Sequence, residues 1–317
     1  MTRETLERYQ VLVYMAAIVA GLSAGTLFPA IGGAMEAAIW PVLGLLLYVT
    51  FTQVPLGNLH QAIADYRFLY AAIIGNFLVI PVIVWGMVLA LPDIPALRIG
   101  VAMVLLVPCT DWFITFTQLG RGITQHAIAF APVSLLLQIV FLPLWFFIIF
   151  GGEQTISLAT SNLLIAFAGI ILLPLFLARL TEKWASAAAD RQQMISKIGS
   201  LPVPLLAIVI FMIAVSQSGV ITDATSMLWY PFLIFAGFLI IAAGLSKIIS
   251  RLFRLSAGQG RVLAFSYGSR NSFVVLPIAL ALPGSLELAA IVIVLQSLVE
   301  LFGMAIYIWF VPGKLFP

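Results

Sequence analysis

The stretch LLVPCTDWF, residues 105–113, lies inside an apolar run that is long enough to cross a bilayer. It nevertheless contains a proline, a carboxylate and the single cysteine of the chain. Pro108 lacks a backbone N–H and disfavours the helical conformation at Val107, so a helix is expected to break here. Unpaired backbone inside a bilayer is tolerated only where it is buried in protein or lines a water-filled cavity. The stretch therefore predicts a broken membrane helix beside a binding site.

A second polar interruption, SYGSRNSFVVLP at residues 266–277, lies in another apolar run. Gly268 loosens the helix there, and Pro277 is expected to break the next turn. Two interrupted helices in corresponding places of a chain are the strongest sequence indication of a binding site near the middle of the membrane.

Composition indicates that the protein lies in a membrane. Of its 317 residues, 63% are hydrophobic and only 9% are charged, whereas soluble domains carry about 25% charged residues. A membrane helix needs about 20 mostly apolar residues. Ten segments meet this requirement, and they are residues 9–29, 37–54, 68–91, 98–119, 125–150, 158–180, 200–219, 229–250, 261–283 and 286–312. We expect an all-α membrane protein with ten transmembrane helices and a single transporter domain, residues 1–317.

The ten predicted spans divide into two halves of five, and an odd number per half forces the halves into opposite orientations. At an offset of 162 residues, residues 134–148 align weakly with residues 296–310. At this offset four pairs of residues are aligned, namely Gly75 with Gly237, Cys109 with Asn271, Gln138 with Glu300, and Trp145 with Tyr307. We therefore predict two inverted five-helix repeats, at about 9–150 and about 158–312, with helices 4 and 9 broken and crossing at the midplane.

Basic residues define an orientation for these spans. Of the 15 Lys and Arg residues, all but Arg98 and Arg270 fall at the termini or in loops on one side. Cytoplasmic loops carry an excess of Lys and Arg. The pattern predicts a multi-pass protein of the cell (plasma) membrane, the inner membrane in bacteria, with both termini in the cytoplasm.

The sequence lacks the motifs that are typical of several other classes of protein. The net charge of +3 is spread along the chain without a basic stripe, which argues against nucleic-acid binding. No P-loop pattern is present, so no ATPase partner is required. One cysteine and two histidines form no metal pattern, and no nucleophile–base pair indicates an enzyme. A sensor or channel is disfavoured because there is no receiver domain and no continuous polar helix face. We expect no cofactor and no metal.

Three ionisable residues lie well inside predicted spans, and they are Asp111, Arg270 and Glu300. Such residues are costly in a bilayer and by default indicate function. One interpretation is a structural ion pair between Asp111 and Arg270 that joins helices 4 and 9. The other is a role in transport, in which Arg270 supplies a fixed positive charge and Glu300 or Asp111 takes up and releases a proton. The residues alone leave both interpretations open.

Uncharged polar residues at the two breaks are the candidates for substrate contact. Cys109 directly follows Pro108, and a thiol there suits a soft substrate such as trivalent arsenic or antimony. Alternatively, Cys109 is a small packing residue. The other candidates, each of which can equally bridge two helices, are Asn76, Thr110, Gln138, Ser269, Asn271 and Ser272.

Around these positions the chain resembles the bile acid/arsenite/riboflavin transporter superfamily, and within it the Acr-type arsenite permease branch. Cys109 stands where that branch has its span-four cysteine, and LGRG (119–122) is similar to the segment that closes that span. LAFSYGSRNSF (263–273) resembles the Asn-rich break of span nine. SLVELFG (297–303) resembles the LVE motif of span ten, with Glu300 on the glutamate. The resemblance implies an arsenical-resistance transporter that exports arsenite and antimonite.

Two residues depart from the permease pattern. Arg270 occupies a place where the permeases usually have asparagine, and Asp111 follows the cysteine where they carry a small apolar residue. In the sodium-coupled bile acid branch, the glutamate and glutamine of the sodium sites correspond here to Ser266 and Arg270. A positive charge at or beside a cation site argues against sodium coupling. The alternative is therefore an organic-anion carrier of the bile acid:sodium symporter type, with Arg270 binding a carboxylate.

The leading hypothesis is a secondary active transporter that couples arsenite efflux to proton exchange. Arsenite is uncharged near neutral pH, so exchange for a proton would use the membrane potential. In this hypothesis Cys109 and the polar groups of the two breaks contact substrate, while Glu300 or Asp111 carries the proton near Arg270. The expected partners are a small-molecule substrate, protons and the lipid bilayer.

Overall fold

The computed structural model describes residues 3–53, 65–110, 112–158, 172–219 and 226–317, and within these ranges the chain is helical without a β-sheet. The helices are α1 (Arg3–Leu27), α2 (Gly32–Thr52), α3 (Tyr66–Ile74), α4 (Ile80–Leu89), α5 (Pro95–Leu106), α6 (Trp112–Leu119), α7 (Thr124–Leu158, interrupted at Gly151), α8 (Leu173–Ala185), α9 (Ala189–Ile198), α10 (Pro202–Ser216), α11 (Trp229–Leu252), α12 (Ala257–Gly268), α13 (Ser272–Leu280) and α14 (Leu288–Phe310). Two π-helical turns, Gly75–Val79 and Val311–Leu315, follow α3 and α14.

Side chains cap the first turns of α3 and α12 and join them. Asp65 Oδ1 accepts from the N–H of Phe68 at 3.1 Å, and Ser256 and Gln259 form a reciprocal capping box at the start of α12. Asp65 Oδ2 lies 3.1 Å from His126 Nε2 and accepts from the Gln259 amide at 2.5 Å. Burial raises the pKa of the Asp65 carboxyl, but these hydrogen bonds and the His126 ring outweigh it, and the pKa lies below its usual value.

The predicted break in the first half is present. α5 ends at Leu106, Val107 adopts an extended conformation with φ −109° and ψ 109°, and α6 begins at Trp112. Asp111 lies outside the described residues. The location agrees with the expectation from Pro108, since a residue before proline avoids the helical region.

The second break is also present, and it follows the predicted Gly268, but Pro277 does not contribute to it. α12 ends at Gly268, Ser269 is extended, and α13 begins at Ser272. Pro277 lies inside α13, so the expectation that it ends a helical turn is wrong. Proline is tolerated in membrane helices where surrounding groups compensate the lost hydrogen bond, and Pro277 is buried.

Six helical segments of the described ranges are long and apolar enough to cross a membrane. They are Pro29–Thr52, Tyr66–Leu89, Thr124–Gly151, Ala189–Ser216, Trp229–Leu252 and Gly284–Leu315. Leu12–Leu27 and Pro95–Leu106 are shorter apolar helices. Most of the predicted span 158–180 falls outside the described residues. The structure therefore establishes a membrane protein with several apolar helices, while the count of ten and the inverted repeat stay predictions.

The helices pack in two groups. In the first group α10 contacts α1 and α2, and α8 packs against α2. A second group surrounds the two breaks with α5, α12, α13 and α14 at its centre. α1 and α2 reach the second group through α14 and α13 respectively. Large apolar side chains remain exposed on both groups, for example Leu12 of α1 and Trp309 of α14, as expected where helices face lipid.

Candidate functional site

The two breaks meet as short antiparallel segments, residues 107–110 and 269–271, which we call the crossing. The N–H of Cys109 donates to the Ser269 carbonyl at 3.1 Å, and the N–H of Asn271 donates to the Val107 carbonyl at 2.8 Å. Backbone groups released by one break are thus paired with those released by the other. This pairing satisfies the requirement that a non-helical backbone at membrane depth find partners within the protein.

Arg270 places a guanidinium against the ends of two helices. Its Nη1 donates to the Leu105 carbonyl at 3.2 Å, in the last turn of α5. Its Nη2 lies 2.8 Å from the Ser266 carbonyl, 2.7 Å from the Tyr267 carbonyl and 3.0 Å from Asn76 Oδ1. The side chain is only 3% exposed. A helix C-terminus carries a partial negative charge, so the guanidinium stabilises both α5 and α12 at the point where they stop.

Glu300 lies on α14 and contacts the crossing from the side. Its Oε2 accepts from the backbone N–H of Arg270 at 2.8 Å and from the Gln296 amide at 2.7 Å. The Gln296 carbonyl oxygen accepts in turn from the Ser272 hydroxyl at 2.7 Å. The carboxylate is 5% exposed and therefore depends on these donors in place of water. Gln296 was not predicted, although its position four residues before Glu300 places both side chains on one helix face.

Asn76 connects the crossing to the third predicted span. Its amide Nδ2 donates to the Ala72 carbonyl at 3.1 Å and to the Ser266 hydroxyl at 2.9 Å, while its Oδ1 accepts from Arg270. The side chain is fully buried, and both of its polar atoms are occupied. In this structure Asn76 therefore bridges helices and positions Arg270.

A π turn makes this contact possible. At Gly75 a Cβ atom would lie 2.0 Å from the hydroxyl of Tyr267, so the close approach of α3 and α12 requires glycine. The Tyr267 hydroxyl donates to the Ala71 carbonyl at 2.6 Å, and the Trp145 indole donates to the Phe77 carbonyl at 2.8 Å. These donors satisfy carbonyls around the π turn, and π turns inside helices frequently mark functional sites.

The remaining residues of the crossing are small and buried. The Asn271 amide donates to Thr110 Oγ1 at 3.3 Å, and its oxygen accepts from the N–H of Val274 as the cap of α13. The Ser269 hydroxyl contacts the Met304 sulfur at 3.6 Å. Cys109 is 3% exposed. The thiol therefore lies in the protein interior at the centre of the crossing.

The first break, α5–α6, lies within the part of the chain that matches a known family. The profile of the Sodium Bile acid symporter family matches residues 40–224. The chain belongs to this family. The comparison with curated proteins found no significant match. Members of the Sodium Bile acid symporter family are transporters, so the protein is a membrane transporter with a small-molecule substrate.

An aromatic row lines one side of the crossing in this family member. The ring of Trp112, the first residue of α6, stacks on Tyr14 of α1 at 6.3 Å and meets Phe273 of α13 edge-on at 5.1 Å. The row extends from the α1 group to the two helices that begin after the breaks. It therefore connects the two helix groups at the crossing.

The structure brings the predicted site residues together with two exceptions. Asn76, Cys109, Thr110, Ser269, Arg270, Asn271, Ser272 and Glu300 lie at the crossing or contact it directly. Asp111 lies outside the described residues, so its proposed ion pair with Arg270 stays a prediction. Gln138 is buried in α7, where both amide atoms lack a hydrogen-bond partner among the described residues. Within the same ranges, no group of three or more His, Cys, Asp or Glu is arranged to hold a metal.

Proposed function

We propose that the protein is a secondary active transporter with ten spans in two inverted repeats, whose substrate site is the crossing. Two features support the repeat. α5 and α12 are 12 residues each, and they end at Leu106 and Gly268, which are 162 residues apart. The break that follows each helix then pairs with the other. Discontinuous helices at a repeat interface are the usual site of solute and ion binding in such transporters.

The proposed substrate is arsenite, with antimonite as its analogue, exported across the plasma membrane. The observation that supports this substrate is the position of Cys109, the single cysteine of the chain, within the crossing. Thiolates are ligands of choice for soft ions. Thr110, Ser269, Asn271 and Ser272 would complete the contacts with the oxygens of the substrate.

Proton exchange is the proposed energy source, and Glu300 is the proposed carrier. A carboxylate that accepts from the backbone at the crossing is sensitive to any movement of the two breaks. The ionised carboxylate accepts strong hydrogen bonds from the Arg270 N–H and the Gln296 amide. Protonation of Glu300 would weaken both of them. Asp111 remains the second candidate, because its sequence position directly precedes α6.

Everted membrane vesicles with a proton gradient test this function. We expect the native protein to accumulate arsenite until a protonophore is added. Cys109→Ser should weaken arsenite binding by about tenfold or more, which corresponds to about 1.4 kcal/mol. Ser297→Ala, whose hydroxyl bonds its own helix, is the matched control. Full-rate uptake by Cys109→Ser would remove the cysteine from the mechanism, and no uptake by the native protein would overturn arsenite as substrate.

An organic anion is the second candidate, and two observations favour it. The chain belongs to a family named for bile acid transport. In addition, α6 and α13 both begin after the breaks, so their partially positive N-terminal ends adjoin the crossing. The Arg270 guanidinium already donates to carbonyl oxygens. It would therefore attract an anion through its positive charge more than through paired hydrogen bonds to a carboxylate. Saturable uptake of a small carboxylate that survives Cys109→Ser and is not inhibited by arsenite would establish this alternative.

A further inference from the structure

The oxygens around Arg270 are concentrated at one nitrogen of the guanidinium, whereas paired hydrogen bonds from two nitrogens are the usual arrangement. Three oxygens lie within 3.0 Å of Nη2, from Tyr267, Ser266 and Asn76. This nitrogen has two hydrogens, so the three acceptors exceed its donors. The Nε atom, in contrast, is buried without a hydrogen-bond partner among the described residues. The oxygens therefore converge on one point of positive charge, as they do around a hard cation.

The charge at this point also matches one cation. Leu105 belongs to the last turn of α5, and Ser266 and Tyr267 belong to the last turn of α12. Each helix C-terminus carries about −0.5 elementary charge, so the two together are balanced by about one positive charge. The ring of Phe238 lies 5.3 Å from the guanidinium carbon and adds a further attraction for a cation.

We infer that the guanidinium of Arg270 is a resident cation that fills a monovalent-cation site formed by the Leu105, Ser266 and Tyr267 carbonyls and Asn76 Oδ1. The ends of α5 and α12 then carry their positive charge permanently, and the crossing needs no sodium to be assembled. This inference rests on the proposed role of the crossing as the transport site. Arg270 then has a structural role at the site, and other residues contact the substrate.

A variant that lacks the guanidinium should gain the ability to bind a monovalent cation at this site. Arg270→Ala should leave four oxygens around an empty space, and sodium or potassium ions should then bind there. The purified full-length protein is unfolded by heat in detergent with sodium, potassium or choline chloride at equal ionic strength. At a hundredfold excess over its Kd, a bound ion should raise the unfolding midpoint of Arg270→Ala by roughly 5 °C relative to choline. Millimolar methylguanidinium should act in the same way.

Three proteins serve as controls. The wild type should unfold at the same temperature in sodium, potassium and choline. Arg98→Ala should also be indifferent. Arg98 contacts only two oxygens, the Leu91 carbonyl at 3.0 Å and Asp93 Oδ1 at 2.6 Å, and both side chains of this ion pair are partly or largely exposed. Arg270→Lys retains a point charge at the site and should not respond to sodium.

Specific outcomes overturn the inference. A folded Arg270→Ala variant that ignores all three cations would do so, and so would a wild type that is stabilised by sodium. If Arg270→Ala cannot be purified, a sodium response of the wild type or of Arg270→Lys would still overturn the inference, and Arg270→Gln replaces Arg270→Ala as the variant expected to gain the response. These stability measurements do not depend on which substrate is transported. Failure of arsenite uptake would therefore leave the inference standing, and a sodium-stabilised wild type would leave arsenite uptake standing.

Discussion

The two breaks share a backbone arrangement but differ in chemistry. α5 and α12 have equal lengths, end 162 residues apart and are followed by breaks whose released backbone groups pair with each other. The first break contributes mainly carbonyls and Cys109 to the crossing, whereas the second contributes Arg270, Asn271 and the contact to Glu300. The backbone arrangement is therefore alike at the two breaks, and the polar side chains are concentrated at the second. This difference can be tested by substituting both members of a pair of residues that are 162 positions apart and therefore correspond in the proposed repeat.

The largest difference is expected between Glu300 and its equivalent Gln138. Glu300→Leu leaves the Arg270 N–H and the Gln296 amide unpaired, at about 1–3 kcal/mol for each buried donor. Gln138→Leu removes a buried amide that lacks partners among the described residues, so its effect should be neutral or stabilising. Thermal unfolding in detergent measures both. Equal destabilisation by the two variants would contradict the asymmetry.

Glu300→Gln addresses coupling separately from folding. The amide preserves the shape and an acceptor oxygen, but it cannot carry a proton. We expect it to lose proton-driven accumulation of substrate while retaining exchange of substrate between the two sides of a vesicle. Retention of proton-driven accumulation would exclude Glu300 as the proton carrier and favour Asp111.

Gly75 and its equivalent Gly237 form the second pair. An added Cβ would clash with the Tyr267 ring at Gly75, whereas at Gly237 it would meet nothing within 4 Å. Gly75→Ala should therefore cost about 1–3 kcal/mol, as expected for overpacking. Gly237→Ala, in the middle of α11, should stabilise by about 0.4–1 kcal/mol. The same unfolding assay checks both signs, and a tolerated Gly75→Ala would show that the α3–α12 contact is not tight.

Asn271 is expected to have a smaller effect on stability, because the hydrogen bonds that it makes are local to the crossing and the start of α13. Asn271→Ala removes the cap of α13 and the contact to Thr110, at about 0.5–2 kcal/mol. Asn271→Ser keeps a capping oxygen and should recover most of this loss. If Asn271→Ser were no more stable than Asn271→Ala in thermal unfolding, capping would not explain the contribution of Asn271. Uptake assays of both variants would then test whether Asn271 contributes to substrate binding.

The smallest effect on stability is expected at the N-terminal ends of α3 and α12, far from the crossing. At their N-terminal ends, α3 and α12 are joined by Asp65, which is 38% exposed. Since the pKa of Asp65 is lowered in the folded protein, its stabilisation is present above the unfolded value of about 3.9 and is lost as pH falls through the folded value. Asp65→Asn should therefore be slightly less stable than the wild type at neutral pH, and the two should converge in acid. A pH-independent difference would assign Asp65 a purely steric role.

The sequence predicted the location of the site better than the partners within it. Pro108 and the polar run around Arg270 located both breaks, because proline geometry and the cost of polar groups in lipid are local properties. The carbonyl partners of Arg270 were not predictable, since every residue has a carbonyl and only the three-dimensional structure determines which ones converge. Pro277 was misinterpreted for a related reason, as tertiary packing allows a proline to remain inside α13.

The π turn at Gly75–Val79 has a consequence for the whole span to which it belongs. A π turn is equivalent to one residue inserted into an α-helix, and one residue corresponds to about 100° of rotation. The faces of α3 and α4 are therefore out of phase by about that angle. α3 and the start of the π turn, including Asn76, can face α12, while α4 packs against α5 with a different face. Deleting one residue of the turn would restore a single continuous face and misalign one of these two contacts.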